Sequence, residues 1–268
     1  MHEEDHKARS ARRKGIYLFP NLLTTGVLFA GFYGIVAAID DNYVRSAVAL
    51  LIAMVLDGLD GRLARLTGTE SEFGKEYDSL ADLVAFGVAP AIIVYQWGLV
   101  RLAEYGWIWG KIGWLAAFIY AASAAMRLAR FNVMSESNDR RFFEGLPSPS
   151  AAALVTFMVW LSTDLGWDGG FAMAFACMVT PLAGALMVSH CKFYSFKEVK
   201  SDTRISFTFA LAIPLTIVLV MLAPPKVLFA MAAGYAISGP VLTWYLHRKH
   251  TGGHRPKRNP DHQEASKS

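Results

Sequence analysis

Four aspartates stand in two closely spaced pairs between long apolar stretches of this sequence. Asp57 and Asp60 are three residues apart, and Asp78 and Asp82 are four apart. Because residues at these spacings share a face of an α-helix, each pair places its carboxylates side by side. Ionisable side chains within a membrane segment are costly and are usually functional. Four carboxylates in a partly desolvated site need cations, and oxygen ligands suit Mg²⁺ or Mn²⁺. The pattern therefore predicts two divalent ions that clamp a diphosphate for phosphoryl chemistry.

Small residues and an arginine accompany the carboxylates on the same helix faces. These positions are Gly61, Ala64, Arg65 and Gly74. Without bulk on that face, a phosphorylated ligand can approach the backbone, and the arginine supplies positive charge for phosphate. Ion pairs at a membrane surface, such as Lys75 with Asp78, are the alternative explanation for any one pair. They do not explain eight positions in register over two helices.

The segments that must position these residues are long and apolar. The chain has 268 residues, of which 54% are hydrophobic and only 18% are charged. A soluble domain of this size would carry more charge. A spanning helix needs about 20 mostly apolar residues, and eight segments qualify. They cover approximately residues 18–38, 44–66, 76–97, 107–131, 148–163, 170–190, 205–222 and 227–246. We therefore predict an all-α polytopic membrane protein in which the second and third helices are antiparallel neighbours whose acidic faces meet.

The distribution of lysine and arginine predicts the orientation of these spans. With the N-terminus in the cytoplasm, 22 of the 26 lysines and arginines lie on the cytoplasmic side, as the positive-inside rule requires. The net charge of +4 then reflects topology and anionic lipid headgroups rather than nucleic acid binding. We predict a multi-pass protein of the cytoplasmic membrane with both termini and the acidic site facing the cytoplasm. Its parts are a basic N-terminal segment (1–14), a transmembrane catalytic domain (15–248) and a disordered tail (249–268).

The sequence carries no residue pattern for several other chemistries. It has no nucleophilic Ser/His/Asp set, no P-loop, no dinucleotide-binding glycine motif and no zinc-ligand spacing. The two cysteines, Cys177 and Cys191, form neither a metal motif nor a redox motif. The aspartate pairs are therefore the strongest indication of function.

The spacing of these residues resembles the signature of the CDP-alcohol phosphotransferase family. From Asp57 to Asp82 the chain matches every position of D-x-x-D-G-x-x-A-R-(8 residues)-G-x-x-x-D-x-x-x-D. Members move a phosphate-linked group from a CDP-activated donor to an alcohol and release CMP, on a core of six transmembrane helices. The resemblance implies that all four aspartates hold two divalent ions and that Asp82 is also the general base on the acceptor hydroxyl. It further implies CDP-lipid contacts by Asp60, Gly61, Ala64, Arg65 and Gly74.

Other stretches are similar to one branch of this family, the membrane-embedded phosphatidylserine synthases of bacteria and archaea. They are "RKGIYLFPNLLTTGVLFAGFYGIV" (13–36), "YDSLADLVAFGVAPA" (77–91), "RLARFNV" (127–133) and "FFEGLPSPSAAA" (142–153). This likeness implies transfer of a phosphatidyl group from CDP-diacylglycerol to the hydroxyl of L-serine, giving phosphatidylserine and CMP. It also implies a homodimer in a bacterial or archaeal cytoplasmic membrane.

A serine acceptor would need a cation or a helix N-terminus for its carboxylate. The cytoplasmic ends of the later spans offer Arg127, Arg130, Asn132, Ser148 and Lys192. The plainer explanation is that the cations among these residues meet lipid phosphates. Another acceptor, such as choline or glycerol 3-phosphate, would use the same chemistry. A cation transporter, with the aspartates as its ion site, and a catalytically silent membrane scaffold are alternatives of different classes.

Overall fold

The computed structural model of the protein describes residues 2–67, 71–134, 142–194 and 207–251. These residues form helices and two short strands in the following order: α1 (His2–Ile39), α2 (Tyr43–Thr67), α3 (Glu72–Asp82), a π-helical turn (Leu83–Val88), α4 (Ala89–Trp97), a 3₁₀ segment (Leu99–Tyr105), α5 (Trp107–Met134), β1 (Phe142–Glu144), α6 (Ser148–Asp164), α7 (Gly170–Val188), β2 (Lys192–Tyr194), α8 (Phe207–Leu222) and α9 (Pro224–Thr251). The elements from α3 to the 3₁₀ segment form one nearly continuous rod, which corresponds to the third predicted span. Each of the eight predicted spans therefore has a helical counterpart.

By length and composition, five helical segments among the described residues can cross a membrane. They are Asn21–Ile39, Glu72–Tyr105, Trp107–Val133, Gly170–Val188 and Pro224–Tyr245. The other three predicted spans correspond to α2, α6 and α8. Helix α2 carries the first aspartate pair and flanking arginines, and α6 and α8 have only 17 and 16 residues. The span count of eight therefore stays a prediction. So does the three-part division of the chain, because its limits at residues 14 and 248 fall inside α1 and α9, and residues 252–268 of the predicted tail lie outside the described part.

A π-helical turn interrupts the third helical rod immediately after Asp82. Pro90 follows the turn and has no N–H to donate to the carbonyl of Phe86 four residues earlier. The Tyr120 hydroxyl of α5, itself completely buried, donates to that carbonyl at 2.9 Å. Single π turns are frequent at functional sites. Here the turn separates the partly exposed acidic helix α3 from the buried helix α4.

Helix α1 lies against both α2 and the π turn. The approach to the π turn is closest at Gly31, where a Cβ atom would lie 2.6 Å from the Cα of Ala85. Only glycine allows this contact, so any larger residue would push α1 away from the rod that carries the second aspartate pair. The main apolar core lies among α2 and α4 to α7 and includes Leu50, Ile93, Val155 and Met173.

A two-stranded antiparallel ladder joins the segments before α6 and after α7. It pairs Phe142 with Tyr194, Phe143 with Phe193 and Glu144 with Lys192. Gly145 follows β1 with φ +80°, a conformation that favours glycine. Its N–H donates to the Cys191 carbonyl at 2.9 Å, and a Cβ atom would meet the Met187 carbonyl oxygen at 2.2 Å. This ladder was not predicted from the sequence, and it adds a small sheet to a protein predicted to be all-α.

Candidate active site

The two acidic helices meet as their sequence spacing predicts. Asp57 and Asp60 of α2 and Asp78 of α3 each offer a carboxylate oxygen, and these three atoms lie within 4.8 Å of one another. Asp60 is only 4% exposed, and the other two residues are half-buried. Like charges this close disfavour ionisation unless a cation compensates them. Hard oxygen donors at this separation fit Mg²⁺ or Mn²⁺, so the three residues are a candidate metal centre.

The fourth aspartate, Asp82, lies one turn further along α3 and is not one of this group of three. Its charge interacts with those of Asp57, Asp60 and Asp78, and also with the opposite charge of Arg127. The Oδ1 atom of Asp82 is buried and has no hydrogen-bond partner. Leaving such an atom unsatisfied costs about 1–3 kcal/mol or more. This position suits a group that receives a proton from a ligand, and metal binding by Asp82 stays a prediction.

Helix α1 supplies polar contacts to both acidic helices. The Thr24 hydroxyl donates to Asp60 Oδ2 at 3.1 Å, and Thr25 shares a hydrogen bond of 3.0 Å with the Tyr77 hydroxyl. Partners that fix ligating carboxylates strengthen metal sites. These residues were not predicted from the sequence, although the polar pair Thr24–Thr25 stands out inside the apolar run of α1.

The predicted CDP-lipid residues have different surroundings. A Cβ atom at Gly61 would meet nothing within 4 Å, so open space adjoins the backbone beside Asp60. At Gly74 a Cβ atom would lie 3.0 Å from Ser71 Oγ, which accepts a hydrogen bond from the Gly74 N–H and caps α3. Gly74 therefore also has a packing role. The side chains of Ala64 and Arg65 lie outside the described part of the structure.

Two of the predicted acceptor residues lie together beside Asp82. The Arg127 guanidinium donates to Ser148 Oγ at 3.0 Å, and Ser148 is 1% exposed in the first turn of α6. The Nε atom of Arg127 is buried and has no partner. The carboxylate of Asp82 thus presents an unsatisfied acceptor near an unsatisfied donor on Arg127. A ligand that both donates and accepts hydrogen bonds would satisfy the two atoms.

Arg130 and Asn132 have partners within the protein. Arg130 forms an ion pair with Glu144 of β1 and lies 3.2 Å from His190 Nδ1. The Asn132 amide donates to Ser79 Oγ at 3.0 Å and so links α5 to α3. These contacts favour structural roles for both residues. The side chain of Lys192 lies outside the described part, although its backbone pairs in β2.

A groove of about 470 Å³ runs between α1 and α2. Its lining is apolar except near Arg45, at the end remote from the aspartates. The inner end adjoins the candidate site, because Gly26 directly follows Thr25 and Leu56 directly precedes Asp57. The lining residues are Gly26, Phe29, Ala30, Tyr33, Val44, Arg45, Val48, Ala49, Ile52 and Leu56. The groove is suited to a hydrocarbon chain that starts at the acidic centre.

Residues 17–188 match the sequence model of a family described as CDP-alcohol phosphatidyltransferase. The chain is 37% identical to a CDP-diacylglycerol--serine O-phosphatidyltransferase of Helicobacter pylori, over 85% of this chain and 92% of that protein. A protein of the same name from Mycobacterium leprae is 31% identical, over 85% of this chain and 75% of its own length. An archaetidylserine synthase of Methanothermobacter thermautotrophicus is 34% identical, over 51% of this chain and 55% of its own length. The aspartates lie within the family match, whereas α9 lies beyond it.

Proposed function

This chain belongs to the CDP-alcohol phosphatidyltransferase family, and from that premise we propose that it is a CDP-diacylglycerol–serine O-phosphatidyltransferase. It is a polytopic membrane enzyme that transfers the phosphatidyl group of CDP-diacylglycerol to L-serine and forms phosphatidylserine and CMP. The likeness over 85% of the chain to relatives named for this reaction carries the proposal. The group of three carboxylates supplies chemistry that fits it.

The aspartates would hold the divalent metal that binds the donor's diphosphate. Asp57, Asp60 and Asp78 hold Mg²⁺ or Mn²⁺, and Asp82 completes the set for two ions. When bound, the ions neutralise charge on the donor's diphosphate and on the departing CMP. Thr24 keeps the Asp60 carboxylate oriented. The open space at Gly61 lets the CDP group approach the backbone. The other residues that border the CDP group are Ala64, Arg65 and Gly74.

Asp82 and Arg127 act on the acceptor. The Asp82 carboxylate takes the proton of the serine hydroxyl, whose oxygen attacks the phosphorus that carries diacylglycerol. The bond from that phosphorus to the CMP oxygen breaks, and CMP leaves with the bonding electrons. Arg127 binds the serine carboxylate near Ser148, and the remaining acceptor candidates, Arg130, Asn132 and Lys192, border this region. The buried, unsatisfied atoms Asp82 Oδ1 and Arg127 Nε support these roles.

The bilayer delivers the donor and takes away the product. An acyl chain of CDP-diacylglycerol lies in the groove between α1 and α2, while its headgroup occupies the acidic centre. The protein works as a homodimer in a bacterial or archaeal cytoplasmic membrane, with its termini and active site towards the cytoplasm. The positive-inside distribution of lysine and arginine supports this orientation.

An acceptor assay tests the proposed function. The purified protein is given CDP-diacylglycerol, Mn²⁺ or Mg²⁺, and labelled serine, choline or glycerol 3-phosphate, and CMP release is measured. We expect rapid release with serine alone. Rapid CMP release with another alcohol would show that this alcohol, and not serine, is the acceptor. Metal flux into sealed vesicles without any CDP-lipid would favour a transporter.

A further inference from the structure

We propose that Tyr235 of α9 is a specificity-determining residue for the acceptor, and that its hydroxyl donates a hydrogen bond to the carboxylate that Arg127 binds. This inference rests on the proposed function, because it concerns the same acceptor. It goes further by assigning part of the acceptor site to a helix beyond the segment that matches the family.

The face of α9 that packs against the rest of the molecule carries three small residues and Tyr235. The small residues are Ala232, Ala236 and Gly239, all buried, and the tyrosine lies half-buried among them. Their spacings of three, four and seven residues put them on one helix face. Small neighbours let α9 approach α6 closely, and the half-buried tyrosine lies on the same face of α9 as these residues.

The β-ladder fixes the ring of Tyr235. Phe193 of β2 is completely buried, and its ring centroid lies 5.6 Å from that of Tyr235 at an interplanar angle of 41°. The same ring covers Gly239 so closely that a Cβ atom there would lie 2.2 Å away. Because β2 pairs with β1, which leads directly into α6, the ladder ties Tyr235 to the element that carries Ser148.

Arg127 connects Tyr235 to the reacting groups. Its guanidinium donates to Ser148 and interacts electrostatically with both Asp82 and Tyr235. A carboxylate bound at Arg127 Nε has several lone-pair positions to fill, and a phenol hydroxyl is a suitable second donor. An alcohol without an anionic group, such as choline or ethanolamine, would gain nothing from either donor. The pair therefore discriminates against acceptors that carry no negative charge.

The position of Tyr235 in the chain agrees with a role in choosing the acceptor. The family match ends at residue 188 and contains the aspartates, which the shared chemistry requires. A residue that distinguishes one alcohol from another need not belong to the shared segment.

The test is Tyr235→Phe in the full chain, with Tyr245→Phe as its matched control. Tyr245 lies on the same helix and is 61% exposed. With CDP-diacylglycerol saturating, we expect Tyr235→Phe to raise the KM for serine about tenfold, because a hydrogen bond to a charged group is lost. The value of kcat and the KM for CDP-diacylglycerol should change less than about twofold. Ethanolamine, which lacks the carboxylate, should inhibit both proteins equally as a competitor of serine.

Three results would overturn the inference. They are an unchanged KM for serine, a fall in kcat without a change in KM, and loss of a cooperative thermal transition in Tyr235→Phe, which would assign the hydroxyl to folding. Failure of the wild-type protein to release CMP with serine would instead overturn the proposed function. An active wild-type protein with an unaltered Tyr235→Phe variant would overturn this inference alone.

Discussion

Asp78 and Asp82 occupy successive turns of α3 and have different neighbours. Asp78 joins the group of three carboxylates, whereas the next turn brings Asp82 beside Arg127 with an unsatisfied oxygen. The sequence spacing predicted that the pairs converge, because helical periodicity alone decides which residues share a face. It could not predict how the two roles divide, since that depends on the position of Arg127, 45 residues further along the chain.

Asp82→Asn should separate proton transfer from metal binding. We expect turnover to fall about 10²- to 10⁴-fold, the usual contribution of a general base, while the Mn²⁺ ion held by Asp57, Asp60 and Asp78 still binds. CMP release and Mn²⁺ binding measured by electron paramagnetic resonance would check this. Asp78→Asn is the control, and it should weaken Mn²⁺ binding. Near-normal turnover of Asp82→Asn would remove Asp82 as the base, and equal loss of Mn²⁺ from both variants would make it primarily a ligand.

Thr24→Val should weaken the metal centre without removing a ligand. The change keeps the shape of the side chain but deletes the hydroxyl that donates to Asp60. Loss of such a supporting partner typically costs about 10- to 100-fold in metal affinity or activity. The Mg²⁺ concentration for half-maximal activity should therefore rise. Thr163→Val, which loses only a bond to its own helix at Val159, should leave that concentration unchanged, and the same value for both variants would contradict the role of Thr24.

At the scale of elements, the helices followed from the sequence but the connections between them did not. Apolar run length predicted each of the eight helical segments, because a membrane span imposes its own length. The β-ladder joins segments about 50 residues apart with only three residues each, too short for a period-two pattern. The ion pair of Arg130 with Glu144 was not predicted for the same reason, because Glu144 approaches Arg130 through β1.

Tyr120→Phe tests the interaction that accompanies the π turn. Without the hydroxyl, the carbonyl of Phe86 loses its donor from α5 inside the core. A buried group left unsatisfied costs about 1–3 kcal/mol, so the midpoint of thermal unfolding should fall by a few degrees. Tyr105→Phe, at a residue that is 61% exposed, is the control and should leave the midpoint unchanged. Equal midpoints for the two variants would show that the Phe86 carbonyl does not depend on Tyr120.

At the scale of the whole molecule, the groove between α1 and α2 leads from the acidic centre along the apolar surface of α2. From Val44 to Leu56 it follows α2 for about 18 Å at 1.5 Å per residue. This length exceeds half of a hydrocarbon core about 30 Å thick, so it can hold much of an acyl chain. The sequence predicted two adjacent apolar helices here, but the space between them depends on how their side chains pack.

Ile52→Trp should obstruct the groove and act on the donor rather than on the acceptor. Ile52 lines the groove and is 50% exposed, so a larger ring fits without entering the core and fills volume that an acyl chain would use. We expect the KM for long-chain CDP-diacylglycerol to rise several-fold, while the KM for serine and the activity with a short-chain donor stay near wild-type values. Val55→Trp places the same ring on α2 at a residue that is 56% exposed and is not among the groove's lining residues, so the donor KM should not change. If both tryptophans raise that KM equally, the effect belongs to the lipid-facing surface of α2, and the acyl chain does not lie in the groove.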